Sequence, residues 1–209
     1  MKRYLEKENY THDDWTVERR RGHINSLLIA DHADIIDGKE VLMLGSNTGT
    51  TLALLDERAK RPVHGLDINL EAVKAAWALL PDAEVEQGSA LAIDVDDADF
   101  DTIIAFDFIE HIYPFDMPRL VAECHRVLRP GGHVLAFSPR TDPENPSQTA
   151  MDPTHVQWFT SARAFVDPWL PRLTCAPPDF IMVSVKPETR ANPGDGNAHD
   201  GWVMLLRKP

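Results

Sequence analysis

Two rhythms of apolar residues alternate along the chain. Short continuous apolar runs of strand length are followed by stretches in which apolar residues recur every three or four positions, the spacing of one helix face. The strand-length runs are Val41–Leu44, Val63–Ile68, Ala83–Gln87, Thr102–Phe106 and His133–Phe137, with a late pair at Phe180–Val185 and Trp202–Arg207. The helical stretches start with Trp15–Ala33, where Ile24, Leu27, Leu28 and Ala30 form the stripe and Thr16 is the N-cap. Next come Thr50–Leu55 and Leu70–Leu80, the latter with Val73, Trp77 and Leu80 inward and Pro81 as its stop. Arg119–Leu128 and Thr160–Leu170 complete the set, and Arg129-Pro130-Gly131-Gly132 reads as the turn that ends the former.

Between these elements lie an irregular arm at 1–14, an Asp37-Gly38 turn, a solvated acidic loop from Asp94 to Asp101, and a lid-like loop at 138–153 rich in Pro, Ser, Asp and Asn. Pro187 to Gly201 reads as an exposed hairpin linker. Strands alternating with helices up to residue 137, then two closing strands, predict an α/β fold whose mostly parallel sheet carries an antiparallel edge pair.

The stretch VLMLGSNTGTTLALL, residues 41–55, places Gly45, Ser46, Asn47, Thr48 and Gly49 between the first strand and a helix. Such a turn brings backbone N–H groups to a helix start, where they can hold a polar or anionic ligand, and its glycines let that ligand touch the backbone. Turns of this kind serve NAD, FAD, nucleotides and S-adenosylmethionine alike. Asp67 narrows the choice to ligands with a ribose, because an acid ending the second strand of a βαβ unit accepts hydrogen bonds from a ribose diol. A nicotinamide oxidoreductase would call for the third glycine of GxGxxG, which this turn lacks.

Composition then removes whole classes. At 209 residues, with 43% hydrophobic and 26% charged positions, the chain suits a single globular domain. No stretch approaches the ~20 apolar residues of a membrane span, and the N-terminal MKRYLEKENY has no apolar core of a signal peptide. A cytoplasmic location is therefore expected, with Cys124 and Cys175 as free thiols. The net charge of −12, with no basic run longer than Arg19-Arg20-Arg21, argues against a grip on duplex nucleic acid and for a small-molecule acceptor.

With these residues laid out, the chain resembles the class I S-adenosylmethionine-dependent methyltransferases, in particular the small-molecule branch that includes ubiquinone-pathway O-methyltransferases. Five pieces carry the resemblance in order: the turn at 45–49, Asp67, Gly88-Ser89-Ala90, FDFIEHI at 106–112 and RVLRPGG at 126–132. It implies a Rossmann-like seven-stranded mixed sheet of order 3-2-1-4-5-7-6 with only strand seven antiparallel. One domain over 1–209 is implied: an arm and helix at 1–35, a cofactor-binding core at 39–137, and an acceptor-side loop, helix and strand pair at 138–209.

The resemblance also implies site roles. Gly45, Ser46, Asn47 and Gly49 bound the methionine moiety of S-adenosylmethionine, and Asp67 binds the ribose hydroxyls with Ile68 packed on the adenine. Ser89 and Ala90 meet the adenine edge, and Phe106 offers its backbone near the methionine amino group. The family usually has an acid where Met43 stands and a glycine where Asn47 stands. Asparagine tolerates left-handed backbone, so the turn is expected to survive.

Methyl transfer needs in-line positioning, and an oxygen acceptor must also lose its proton. His111 just past strand four, His155 in DPTHVQWFT, and Asp107 at the loop facing the methyl are the catalytic candidates. Asp107, Glu110, His111 and His155 also match a carboxylate–histidine cluster that holds a divalent metal in some relatives, among them RNA 3′-end 2′-O-methyltransferases, although no metal is the expectation here. Trp158 and Phe159 are candidates to line the acceptor pocket. The leading reading is methyl transfer to an oxygen or nitrogen of a small acceptor. The alternatives are a metal-assisted 2′-O-methyltransferase of nucleic-acid ends and a non-catalytic scaffold of the same fold.

Overall fold

A computed structural model describes residues 24–140, 155–170, 180–191 and 198–209. Seven strands make one sheet: β1 Val41–Leu44, β2 His64–Asp67, β3 Glu84–Gln87, β4 Phe100–Phe106, β5 Leu128–Pro139, β6 Ile181–Ala191 and β7 Ala198–Arg207. Their order is β3-β2-β1-β4-β5-β7-β6. β3, β2, β1, β4 and β5 pair in parallel, and β7 runs antiparallel to both β5 and β6. Only β7 is reversed, as the alternation pattern and the late strand pair imply.

At the centre of the sheet β1 is buried on both faces, which is why it reads as an unbroken apolar run. Side chains of a strand alternate between faces, and β1 divides its four residues accordingly. Leu42 and Leu44 join a core with Ile103, Ala105, Trp169 and Phe165. That core is completed by α4, Met117–Val127, whose Leu120, Val121, Cys124 and Val127 are buried. Val41 and Met43 join the opposite core with Ile104 and Phe106. There they meet Ile24, Leu28 and Ile29 of α1 (residues 24–31), Leu52 and Leu55 of α2 (Thr50–Asp56), and Val73 and Ala76 of α3 (Leu70–Leu79). A short α5, Ala162–Val166, and 3-10 turns at Ala33–Ile35 and Ile109–His111 complete the described elements.

Several expectations are corrected. Trp77 does not point inward: it is 47% exposed, its indole N–H donating to the Val85 carbonyl at 2.7 Å, while Ala72, Val73 and Ala76 form the inner face. Arg129-Pro130-Gly131-Gly132 is not a turn after the helix. β5 starts at Leu128, directly after α4, and the glycine pair lies within the strand, where the pairing with β4 shifts register and Gly131 has φ 81°. β4 begins at Phe100 rather than Thr102, because Phe100 is a core residue at 1% exposure. The acidic loop is not simply solvated: Asp97 pairs with Arg126, and Asp101 pairs with Arg129 while accepting the Glu40 N–H. The Thr160–Leu170 helix contracts to α5. Most of the Pro187–Gly201 linker is strand: β6 extends to Ala191 and β7 starts at Ala198. Cys124 is a buried packing residue as expected. The arm at 1–14, Thr16, the Arg19–Arg21 triplet, Cys175 and most of the 138–153 lid lie outside the described residues.

Candidate active site

Parallel strands β1, β2, β3 and β4 end at the same edge of the sheet, and the loops leaving them build the site. The loop after β1 takes three left-handed residues: Gly45 at φ 68°, Asn47 at 47° and Gly49 at 89°. Asparagine is among the residues that accept this conformation, so the loop keeps its course without the usual glycine. At Gly45 a side chain is also excluded by space, since a Cβ would lie 2.7 Å from Cδ2 of Phe108, whose ring rests on the loop.

Four of the five backbone N–H groups of residues 45–49 are spent on the protein itself. The N–H groups of Gly45 and Ser46 both donate to the Leu66 carbonyl, at 2.8 and 3.1 Å, and that of Gly49 donates to the Ser46 carbonyl at 3.0 Å. The Asn47 N–H donates to Oδ2 of Asp67 at 2.9 Å, and the Asn69 N–H donates to Oδ1 at 2.8 Å. This corrects the expectation of a donor-rich cradle for an anion. What the site offers instead is an acceptor. A carboxylate has about four lone-pair positions, so Asp67 retains one on each oxygen, the arrangement that suits a vicinal diol. Burial pushes the Asp67 carboxyl above the usual carboxylate range, against the backbone N–H groups of Asn69 and Asn47, and the neighbouring one of Ile68, that lower it.

Gly88-Ser89-Ala90 lies beside this acid: the Gly88 N–H donates to the Asp67 carbonyl at 2.9 Å, and Ala90 is buried. Ile68, half-buried, accepts the Gln87 amide on its carbonyl at 3.2 Å. Beyond β1 a cleft opens between Met43, Gly45, Phe106 and Asp107 on the sheet side and Asn25 and Thr51 on the helices. Asn25 and Ser46 both line this cleft at 3% and 2% exposure, and each carries a buried polar atom, Oδ1 and Oγ, without a hydrogen-bond partner. A diol acceptor at the end of β2, linked through the Asn47 N–H to the loop that lines this cleft, fits a nucleoside carrying a polar tail.

A second constellation follows β4. Asp107 sits at φ 48°, a conformation uncommon outside glycine and enriched at functional sites. The 3-10 turn Ile109–His111 comes next. Glu110 is 2% exposed and its Oε2 accepts the Ser138 hydroxyl at 2.9 Å. Its carbonyl receives the N–H groups of Val156 and Gln157 at 2.8 and 3.1 Å. The Gln157 amide donates to the carbonyls of Ile109 and Ile112 at 3.3 and 2.6 Å. These bonds stitch the segment at 155–157 to the turn after β4. They bring His155 Nε2 to 4.0 Å from Glu110 Oε1 and set the His111 and His155 rings 4.9 Å apart, edge to face.

Ligand atoms of Glu110, His111 and His155 all lie within 4.8 Å of one another, two imidazoles and a carboxylate that can hold a divalent cation. Asp107 is not part of that group; it lines the cleft. Of the aromatic candidates, Phe159 is core at 2% exposure, whereas Trp158 is 45% exposed. Sequence reasoning passed over Asn25, Thr51, Phe108 and Gln157. For Asn25 the signal was an amide within the apolar stripe of α1; for the others nothing local distinguishes them.

Residues 42–136 match the profile of a methyltransferase domain. Over this stretch the chain is a methyltransferase domain, similar to S-adenosylmethionine-dependent methyltransferases. Among curated proteins it is 32% identical, over 126 residues, to a probable S-adenosylmethionine-dependent methyltransferase of Mycolicibacterium smegmatis, covering 60% of this chain and 48% of that protein. It is 35% identical over 125 residues to the phthiotriol/phenolphthiotriol dimycocerosates methyltransferase of Mycobacterium leprae, covering 58% and 45%. The chain thus spans about half the length of these relatives. Among solved structures, the N-methyltransferase NodS of Bradyrhizobium japonicum, in complex with S-adenosyl-L-homocysteine, superposes with a TM-score of 0.69 at 18% identity, covering 99% of this chain and 97% of NodS. S-adenosylmethionine is the cofactor of the family, and among the described residues no helix is long and apolar enough to cross a membrane.

Proposed function

We propose that this chain transfers a methyl group from S-adenosylmethionine to an oxygen or nitrogen of a small-molecule acceptor. The observation that carries the reading is the juxtaposition, at the end of β4, of the cleft residue Asp107 with the Glu110–His111–His155 cluster. Bound S-adenosylmethionine supplies an activated methyl that leaves sulfur as the acceptor attacks in line, with S-adenosylhomocysteine as product.

Asp67 accepts the ribose hydroxyls, Ile68 packs on the adenine, and Ser89 and Ala90 flank its edge. Gly45, Ser46, Asn47, Gly49 and Phe106 bound the methionine end. His111 or His155 takes the acceptor's proton as the new bond forms, and Glu110, fixed by Ser138, steadies the imidazolium that results. Asp107 orients the acceptor at the mouth of the cleft. Residues 39–137 form the cofactor-binding core of one domain, and 138–209 supply the acceptor side.

The relative named for phthiotriol and phenolphthiotriol dimycocerosates supports an acceptor other than a nucleic acid, as does the net charge of −12. The course of the loop through Asn47 removes one motive for a non-catalytic scaffold. The histidine cluster favours a second reading, in which a bound divalent cation lowers the pKa of the acceptor hydroxyl.

The test is S-adenosylhomocysteine release across a panel of phenols, alcohols and amines, by the wild type and by His111→Ala and His155→Ala, with and without chelator. A general base predicts turnover down by about 10²–10⁴-fold in one variant with cofactor affinity unchanged and no effect of chelator. A metal predicts that both variants and the chelated wild type fail together. Release with none of the acceptors would refute the small-molecule reading, and full activity in both variants would remove the histidines from the mechanism.

A further inference from the structure

We propose that Asn25 binds the cofactor's amino-acid end, its side-chain oxygen accepting a hydrogen bond from the α-ammonium of S-adenosylmethionine. This rests on the cofactor placement above. The strand order β3-β2-β1-β4 spreads the cofactor's parts along the sheet edge. With adenine beside the loop after β3 and ribose on Asp67 at the end of β2, the rest of the molecule runs over the ends of β1 and β4. The cleft between Met43, Gly45, Phe106 and Asp107 lies there, and α1 closes it from the other side with Asn25.

Asn25 is half committed. Its Nδ2 donates to Thr51 Oγ1 at 2.7 Å, which fixes the amide plane, while Oδ1 is buried with no partner. Buried polar groups are paired as a rule, so an orphaned acceptor on a residue that lines a cleft marks where a ligand's donor belongs. On the facing wall the Met43 side chain offers only a thioether, a weak acceptor, which leaves the Asp107 carboxylate, the Phe106 backbone and the Asn25 amide to receive a donor in this cleft. An ammonium is the donor on the tail of S-adenosylmethionine, and an amide can receive it without placing a second, ionised group in a buried wall. Ser46 Oγ, the other unmatched atom lining this cleft, is left for the tail's carboxylate.

Calorimetry on the full chain tests this as a two-by-two cycle. The ligands are S-adenosylhomocysteine and its deaminated counterpart, S-adenosyl-4-thiobutyrate; the proteins are the wild type, Asn25→Leu and Asn25→Asp. In the wild type, loss of the amino group should weaken binding about tenfold or more. In Asn25→Leu, S-adenosylhomocysteine should itself bind about tenfold more weakly, and the two ligands should then differ by less than about twofold. Asn25→Asp conserves size and should bind S-adenosylhomocysteine at least as tightly as the wild type while widening the preference over the deaminated ligand. It keeps the test decisive if the leucine variant does not fold. If Asn25→Leu still discriminates about tenfold, or Asn25→Asp loses the preference, the proposal is overturned. A wild type that binds neither ligand would refute the cofactor placement itself, a different result from either.

Discussion

Replacing Asp67 by alanine separates what this carboxylate does for the cofactor from what it does for the loop. In the free protein its two oxygens each hold one backbone N–H, of Asn47 and Asn69, and each keeps a lone pair for a ribose hydroxyl. Hydrogen bonds to an ionised group contribute about 1.5–3 kcal/mol each. Removing both diol bonds therefore weakens S-adenosylhomocysteine binding by at least about 3 kcal/mol, or roughly a hundredfold. The orphaned N–H groups add a loss of stability of about 1–2 kcal/mol, seen as a melting temperature lower by roughly 2–8 °C in a chain of this length. Calorimetry at a temperature well below the variant's midpoint isolates the first effect, and 2′-deoxy-S-adenosylhomocysteine provides the control. The wild type should prefer the full ribose by about tenfold, and Asp67→Ala should show no preference. A folded Asp67→Ala that binds S-adenosylhomocysteine within about threefold of the wild type would refute the assignment of the ribose to this residue.

Two further outcomes follow from the same coordinates. Because burial holds the Asp67 carboxyl above its ordinary range, the free fold binds this proton more tightly than the unfolded chain does. The group's contribution to stability is thus largest at low pH and is lost as pH rises through the raised pKa, whereas diol binding needs the ionised form. S-adenosylhomocysteine affinity measured from neutrality down toward about pH 4 should start to fall above the usual carboxylate range, and a flat profile would contradict this. Gly201→Ala places a Cβ at 2.1 Å from Cε2 of Phe137 and 2.8 Å from the Ser138 carbonyl. Overpacking of this kind destabilises by about 1–3 kcal/mol, so denaturant titration should show a lower midpoint, and an unchanged midpoint would mean that the ring of Phe137 moves freely aside.

The sheet was legible because its signals are local. VLML is apolar on both strand faces, and β1 is buried on both. The alternation of elements up to residue 137 leaves a mostly parallel sheet, and the late strand pair supplies the reversed β7. Errors arose where tertiary packing overrides composition. Trp77 fits the helical stripe by spacing, yet the core beside α3 is filled by Ala72, Val73 and Ala76, and the indole lies out over β3 to reach the Val85 carbonyl. Gly131 and Gly132 have the composition of a stop, but within β5 they serve an irregular start of strand pairing with β4. Pro187 and Gly201 read as linker, yet both lie in paired strands, and Gly201 is required there because Phe137 occupies the space of its side chain.

The candidate site divides in the same way. Gly45, Asn47, Gly49 and Asp67 stand within one βαβ unit, so their spacing alone brings them together, and Asn47 takes the left-handed backbone that its residue type permits. The cluster after β4 needed long-range information. Nothing near Glu110 in the sequence says that its carboxylate is sealed from solvent, that Ser138 from β5 donates to it, or that its carbonyl receives the N–H groups of Val156 and Gln157. A carboxylate buried to 2% exposure is costly unless it is paired. The groups it faces are His111 and His155, so an ionised Glu110 would favour a cation there, whether an imidazolium formed during proton abstraction or a bound metal ion. On either reading the carboxylate lies next to the loop that opens at Asp107, beside the cleft lined by Met43, Gly45 and Phe106.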